Sequence, residues 1–145
     1  MLNYMYNINP KLWGNPLWKF IHYLTVAYPE NPTQEQMDDF KLFFTHLKKM
    51  LPCEKCRYHY QQNLLKYPLT DDILRSRYKL IKWAVDMHNE VNVMNGKPKM
   101  SVERVIDEYT KDKGAIRMDK NVFNIVVLIM IIILVIWFYK YKNPS

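Results

Sequence analysis

The stretch Met50-Leu51-Pro52-Cys53-Glu54-Lys55-Cys56-Arg57-Tyr58 contains both cysteines of the chain, separated by two residues. Pro52 lacks an N–H and has a fixed φ, so it suits the start of a helix rather than its interior. The sequence therefore predicts Cys53 in the first turn of a helix, where unpaired N–H groups and the helix dipole stabilise a thiolate. Because Cys56 follows within one turn, the two sulfurs can close a small disulfide ring and exchange two electrons.

Other uses of a C-x-x-C pair find less support. A zinc site needs further ligands, and although His59 has a workable spacing, no third cysteine exists and the remaining histidines are scattered singly. Attachment of c-type haem requires a histidine directly after the second cysteine, where this chain has Arg57. A thioredoxin-like motif requires a βαβ context, and the pattern contains no convincing strands. The open alternatives are a catalytic redox pair, an oxygen-independent thiol–disulfide carrier, and a membrane-tethered zinc or adaptor protein with structural cysteines.

Two helices are predicted before the cysteine pair. Asn9-Pro10 is a helix-start signal, apolar residues then recur at helical spacing, and Tyr28-Pro29 ends the run. Thr33-Gln34-Glu35-Gln36 has the pattern of a capping box, and the apolar stripe that follows continues up to Pro52.

Three more helices are predicted after it. The helix that opens at Cys53 should run to about Lys66, and one helix capped by Thr70-Asp71-Asp72 should continue to Asn95-Gly96. A last short helix covers about Ser101–Thr110. The predicted fold over residues 9–110 is therefore all-α, a four-helix bundle plus a short fifth helix.

The C-terminal part of the chain has a different composition. From Val122 to Tyr139 every residue except Asn124 is apolar or aromatic. A helix of that length, at about 1.5 Å per residue, spans about 27 Å, which matches a bilayer core. We predict a transmembrane helix at 122–139, a charged linker at 111–120 and a short basic tail at 140–145. Lysines and arginines flank the span on both sides, so charge does not fix its orientation; its late position favours a single-pass, C-terminally anchored protein with a cytosolic catalytic domain.

The formal net charge of +7 is modest and scattered. No basic block with interleaved aromatic residues is present, so the sequence does not favour nucleic-acid binding. A mild positive charge does suit an anionic cofactor or a membrane surface.

Further motifs accompany the cysteine pair in a fixed order: Trp18-Lys19-Phe20-Ile21-His22 leading to Ala27-Tyr28-Pro29, then Trp83, His88-Asn89-Glu90-Val91-Asn92 and Gly96-Lys97-Pro98. Over about Trp13 to Thr110, this order and spacing closely resemble the Erv/ALR family of FAD-linked sulfhydryl oxidases. The chain has no G-x-G-x-x-G fingerprint, so the flavin follows from the resemblance alone.

The resemblance implies a four-helix bundle with a short fifth helix, usually a homodimer, that holds FAD inside the bundle. It implies that Cys53 exchanges with the dithiol of a substrate protein or small redox carrier, that Cys56 is the sulfur next to the flavin, and that O2 is reduced to H2O2. It places FAD binding at the following residues: Gly14, Trp18, His22, His88, Asn89, Asn92, Lys97 and Tyr109. Lys97 would pair with phosphate oxygens.

The sequence departs from the family pattern in three places. Asn15 replaces the usual arginine after the first-helix glycine, and neither the family's structural disulfide nor its distal shuttle cysteines have counterparts. Electrons would therefore enter directly at Cys53. Single-domain relatives of large DNA viruses have this reduced form, which leads to the hypothesis of a viral enzyme with a virion membrane as its candidate location.

Overall fold

A computed structural model describes residues 6–111 together with Leu128 and Lys142. The chain divides into two units, Met1–Lys111 and Asp112–Ser145. Within residues 6–111 the fold is all-helical. The helices are α1 (Pro10–Ala27), α2 (Gln34–Met50), α3 (Glu54–Lys66), α4 (Asp71–Leu74), α5 (Arg77–Met94) and α6 (Val102–Thr110).

Local capping determines where α1 and α2 begin, as the sequence predicted. The Asn9 side chain accepts a hydrogen bond from the Lys11 N–H at 3.0 Å, and Pro10 is the first residue of α1. The capping box of α2 is complete, because the Thr33 and Gln36 side chains each accept from the other residue's backbone N–H.

The core lies where the four long helices meet. Helix α1 packs against α5, α2 packs against α3, and α3 also contacts α5, while α6 covers α1 and α5. Phe44, Leu80 and Met87 are fully buried there. Tyr28 and Tyr60 are buried too, and their hydroxyls donate to the Leu74 and Phe44 carbonyls at 2.9 Å each. Apolar burial with satisfied polar groups therefore stabilises the bundle.

The prediction of one continuous helix after Thr70 was wrong. The chain forms the single turn α4, breaks at Arg75–Ser76 and starts again as α5. Ser76 adopts an extended backbone, and its hydroxyl accepts from the Lys79 N–H at 3.4 Å, so it caps a new helix. The Leu74 carbonyl accepts the Tyr28 hydroxyl at the break.

The predicted membrane helix at 122–139 lies outside the described residues, apart from Leu128. Among the helices that the structure describes, none is both long and apolar enough to cross a membrane. The span, the linker and the basic tail therefore stay predictions.

Candidate active site

The two cysteines form a disulfide at the start of α3, with their Cα atoms 5.1 Å apart. Cys53 precedes the helix rather than lying in its first turn, which corrects the sequence prediction. Its backbone is extended, and its Sγ accepts a hydrogen bond from the Cys56 N–H at 3.1 Å, so it acts as the N-cap. It is Cys56 that lies in the first turn, where the helix dipole favours negative charge.

Two hydrogen bonds hold the segment before Cys53, and a third ties one of their donors to α1. The Arg57 guanidinium donates to the Leu51 carbonyl at 2.7 Å, and the Ile8 N–H donates to the Pro52 carbonyl at 2.7 Å. The Trp13 indole N–H in turn donates to the Ile8 carbonyl at 3.1 Å. These bonds fix the segment that carries the disulfide against α1 and the N-terminal segment.

A cavity of about 510 Å³ lies beside the disulfide. Helix α1 contributes aromatic and apolar side chains to its wall, α3 and its N-cap contribute the two sulfurs, and α5 contributes its last turn. At Gly14 an added Cβ would meet no atom within 4 Å, so this position opens into the cavity. The lining residues that matter below are Trp13, Gly14, Trp18, Cys53, Lys55, Cys56 and His59.

A row of aromatic rings continues from the cavity wall towards α6. The Trp18 and His88 rings stack in parallel with their centroids 4.2 Å apart. His88 Nδ1 and His22 Nε2 are hydrogen-bonded at 2.9 Å, and the Tyr109 ring lies 5.2 Å from the His22 ring. Four residues from α1, α5 and α6 that the resemblance assigned to FAD binding are thus brought together.

The two histidines of this row are neutral at pH 7. Burial lowers the pKa of His22 to about 4. Burial, followed by the charges of His22 and Lys97, lowers the pKa of His88 to about 3. One imidazole therefore donates its N–H to the other. His22 Nδ1 is buried and has no hydrogen-bond partner among the described residues.

Comparison with known proteins places this arrangement in a family. The sequence profile of the Erv1 / Alr family matches residues 15–111, which is more than half of the chain. The chain belongs to the Erv1/Alr family.

Two relatives and one solved structure illustrate the similarity. A protein of Acanthamoeba polyphaga mimivirus, described as a probable FAD-linked sulfhydryl oxidase, is 41% identical over 104 residues, covering 72% of this chain and 73% of its own. An FAD-linked sulfhydryl oxidase of Arabidopsis thaliana is 36% identical over 92 residues, 63% of this chain and 47% of its own. The FAD binding domain of Erv1 from Saccharomyces cerevisiae has the same fold, with a TM-score of 0.66 at 23% identity over 71% of this chain and 95% of its own.

Of the residues that the resemblance assigned to FAD binding, only Gly14 and Trp18 line the cavity. The Asn89 side chain accepts from the Met100 N–H at 2.8 Å and donates to the Met100 carbonyl at 2.9 Å, so it ties α5 to the segment before α6. Asn92 is buried, and its backbone carbonyl accepts a hydrogen bond from the Lys97 backbone N–H at 2.8 Å. The Lys97 side chain is exposed. Their assignment to FAD binding stays a prediction, as does that of His22, His88 and Tyr109.

The sequence analysis did not identify Trp13 and His59 as parts of the cavity wall. Helical spacing contains a signal for both, because Trp13 precedes Leu17 by four residues on α1 and His59 follows Cys56 by three on α3. The structure places all four in the lining. In the part of the chain that the structure describes, no three His, Cys, Asp or Glu side chains are grouped to hold a metal ion.

Because the pKa values of His22 and His88 are lowered in the fold, we expect the protein to lose stability on acidification. An unfolded histidine titrates near 6.5, whereas His22 and His88 have lowered pKa values in the fold. The unfolded chain therefore binds more protons below pH 6.5, and stability that is fully present above that pH falls as the pH drops towards about 4. Between about pH 7 and 5 each histidine should lower the free energy of unfolding by about 2 kcal/mol at most.

Urea unfolding at the two pH values measures this effect. The lowered pKa values of Asp71 and Glu90 act mainly below that interval, because the ordinary pKa values of these carboxyl groups are 3.8 and 4.5. His22→Gln should flatten the pH dependence, whereas His46→Asn, at an exposed histidine of α2, should retain it. An unaltered protein with the same urea midpoint at both pH values would contradict the prediction.

Proposed function

We propose that this chain is an FAD-dependent thiol oxidase that makes disulfides in substrate proteins. It takes electrons from a dithiol through Cys53 and Cys56 and passes them to O2, which yields H2O2. The observation that supports this most directly is a disulfide at a helix start in the wall of an aromatic-lined cavity. Membership of the Erv1/Alr family, in which relatives are described as FAD-linked sulfhydryl oxidases, points to the same activity.

The residues at the cavity fit a flavin. The volume of the cavity, about 510 Å³, is in the range of small-molecule sites, and Trp13 and Trp18 offer flat apolar surfaces. The open space at Gly14 leaves room against the helix backbone. Trp18 and Gly14 would hold the ring system beside the sulfurs, and the exposed Lys97 would pair with phosphate. FAD, when bound, supplies the two-electron chemistry that links a dithiol to O2.

The chain's own part is thiol–disulfide exchange. A substrate thiolate attacks the Cys53 sulfur, a bond forms between those two sulfurs, and the Cys53–Cys56 bond breaks. Cys56 leaves as a thiolate, so the negative charge moves from the substrate to the wall of the cavity. Cys53 is only 6% exposed, so the substrate thiolate has to reach a largely buried sulfur.

Oxygen uptake by the purified full-length chain tests the proposal. We expect a yellow protein that consumes O2 and produces H2O2 when dithiothreitol or a reduced dithiol protein is added. Colourless protein that consumes no O2 even after loading with FAD would refute it. Disulfide exchange without O2 uptake would identify a carrier, and stoichiometric zinc without flavin would identify a structural site.

We further propose that residues 122–139 anchor the enzyme in a membrane with its catalytic domain in the cytosol. The support is the apolar sequence of that stretch and its position after the domain. The mimivirus relative supports a viral origin, and a place in a virion membrane is part of the same proposal. Release of the chain from membranes by alkaline carbonate would contradict the anchor, and protease digestion of the domain only in lysed vesicles would contradict the cytosolic orientation.

We also propose a homodimer. Phe20 on α1 and Leu42 on α2 are 51% and 56% exposed, so these helices present apolar side chains to solvent. Analytical ultracentrifugation in detergent should give twice the mass of one chain, and Phe20→Asp with Leu42→Asp should give one chain's mass. A monomer for the unaltered protein would refute the dimer.

A further inference from the structure

The wall of the cavity beside the disulfide carries charge of one sign. Lys55 and His59, both on α3, line it together with Cys56, whereas no Asp or Glu belongs to the lining. Helices α1 and α5 contribute only apolar, aromatic and amide side chains there, as does Leu51. Any negative charge on Cys56 therefore forms beside a wall that contains a cation and an imidazole.

Other ionisable groups near this wall are engaged elsewhere. The Arg57 guanidinium donates to the Leu51 carbonyl, and the Tyr60 hydroxyl, although Tyr60 lines the cavity, donates to the Phe44 carbonyl. Glu54 is exposed and does not belong to the lining. Arg57 keeps its positive charge but does not belong to the lining, so within the lining Lys55 and His59 are the side chains that can interact with charge on Cys56.

We propose that Lys55 and His59 stabilise the thiolate of Cys56 when the disulfide opens, an inference that rests on the exchange role proposed for the two cysteines. In that step the substrate sulfur is oxidised to a mixed disulfide with Cys53, and Cys56 is reduced and receives the electron pair of the broken bond. Lys55 acts through its positive charge and His59 through a ring N–H. Both add to the effect of the helix start, since Cys56 lies in the first turn of α3.

The arrangement also makes the two sulfurs of the disulfide unequal. Cys53 is the N-cap, while Cys56 lies in the first turn of α3, on the same helix as Lys55 and His59. Stabilising the thiolate at Cys56 makes it the better leaving group, so attack at Cys53 is favoured over attack at Cys56. Lys55, one of the two residues between the cysteines, thus helps to decide which sulfur bonds to the substrate.

A single-cysteine protein allows a direct test. The chain has two cysteines, so Cys53→Ser leaves Cys56 as its only thiol. The rate at which iodoacetamide alkylates the full-length variant, followed by mass spectrometry across pH, reports the thiolate fraction of Cys56. Adding Lys55→Gln should lower the rate near pH 7 about threefold and move the midpoint of the profile to higher pH. The limiting rate at high pH should not fall, because access to the sulfur is the same and a thiolate of higher pKa is the stronger nucleophile.

Matched variants separate charge from structure. Lys55→Arg should restore the profile, and His59→Leu should shift it in the same direction as Lys55→Gln. Lys19→Gln and His46→Leu remove an exposed lysine and an exposed histidine outside the lining and should leave it unchanged. Circular dichroism of each variant confirms that the helices are retained.

An unchanged profile in both Lys55→Gln and His59→Leu, with the helices retained, would overturn the inference. An equal shift in the Lys19→Gln control would overturn it too, because a general charge effect would then explain the result. Alkylation needs neither FAD nor O2, so a negative result here leaves the oxidase proposal standing. Failure of O2 uptake by the unaltered chain would instead refute that proposal.

Discussion

Cys56→Ser is expected to abolish O2 uptake with every dithiol, by about a thousandfold or more. The variant cannot form the disulfide that Cys53 and Cys56 share, so a substrate thiolate finds no bond to exchange with. The flavin content and the helices should be retained, because the serine hydroxyl replaces the sulfur without adding volume to the cavity wall. The measurement is oxygen consumption at matched flavin concentration, with the visible spectrum as the control for cofactor content.

The same variant distinguishes the roles of the two sulfurs. In Cys56→Ser the remaining thiol at Cys53 should form a mixed disulfide with oxidised glutathione or an oxidised client, and Cys53→Ser should form much less at equal pH. Turnover close to that of the unaltered enzyme in Cys56→Ser would remove Cys56 from the mechanism. A mixed disulfide found at Cys56 in preference to Cys53 would reverse the assignment.

Gly14→Leu is expected to reduce the flavin content of the purified protein at least about tenfold, a loss that corresponds to about 1.4 kcal/mol or more. Gly14 lines the cavity and a Cβ there points into open space, so the leucine side chain would occupy part of the proposed ring site. The helix itself should benefit, since replacing a helical glycine removes a penalty of about 1 kcal/mol. The variant should therefore fold and melt no lower than the flavin-free parent.

Asn15→Leu is the matched control for this experiment. Asn15 is the next residue of α1, is exposed and does not belong to the cavity lining, so leucine there should leave the flavin content unchanged. Flavin absorbance relative to protein, together with thermal melting, measures both expectations. Full flavin content in Gly14→Leu would show that the cofactor lies elsewhere.

Local signals in the sequence predicted most of the helices. Asn9, Thr33 and Ser101 are caps whose side-chain oxygens accept from the first turn, and each begins a helix where predicted. Capping depends on residues within one turn, so a sequence pattern is sufficient to find it. Ser76 was missed because Leu-Arg-Ser-Arg has no Pro or Gly to mark the break, and because the Tyr28 hydroxyl that bonds the Leu74 carbonyl comes from a distant part of the chain.

The candidate site was predictable only in part for the same reason. The cysteine pair is local, and the disulfide between its two sulfurs is present as expected. The stack of Trp18 on His88 and the bond from His88 to His22 join α1 to α5 across the bundle, and periodicity cannot reveal such pairs. The resemblance supplied them as candidates, but not the contact of Asn89 with Met100, which engages both ends of its amide.

The short ring formed by Cys53 and Cys56 bears on whether the protein stays folded in a reducing compartment. The cysteines are three positions apart, so the bridge restricts the unfolded chain far less than one joining distant helices would. The architecture instead depends on packed side chains such as Phe44 and Leu80. Opening and resealing the bridge in every catalytic cycle should therefore leave the helices in place, and glutathione in a reducing compartment should switch the sulfur chemistry without melting the scaffold.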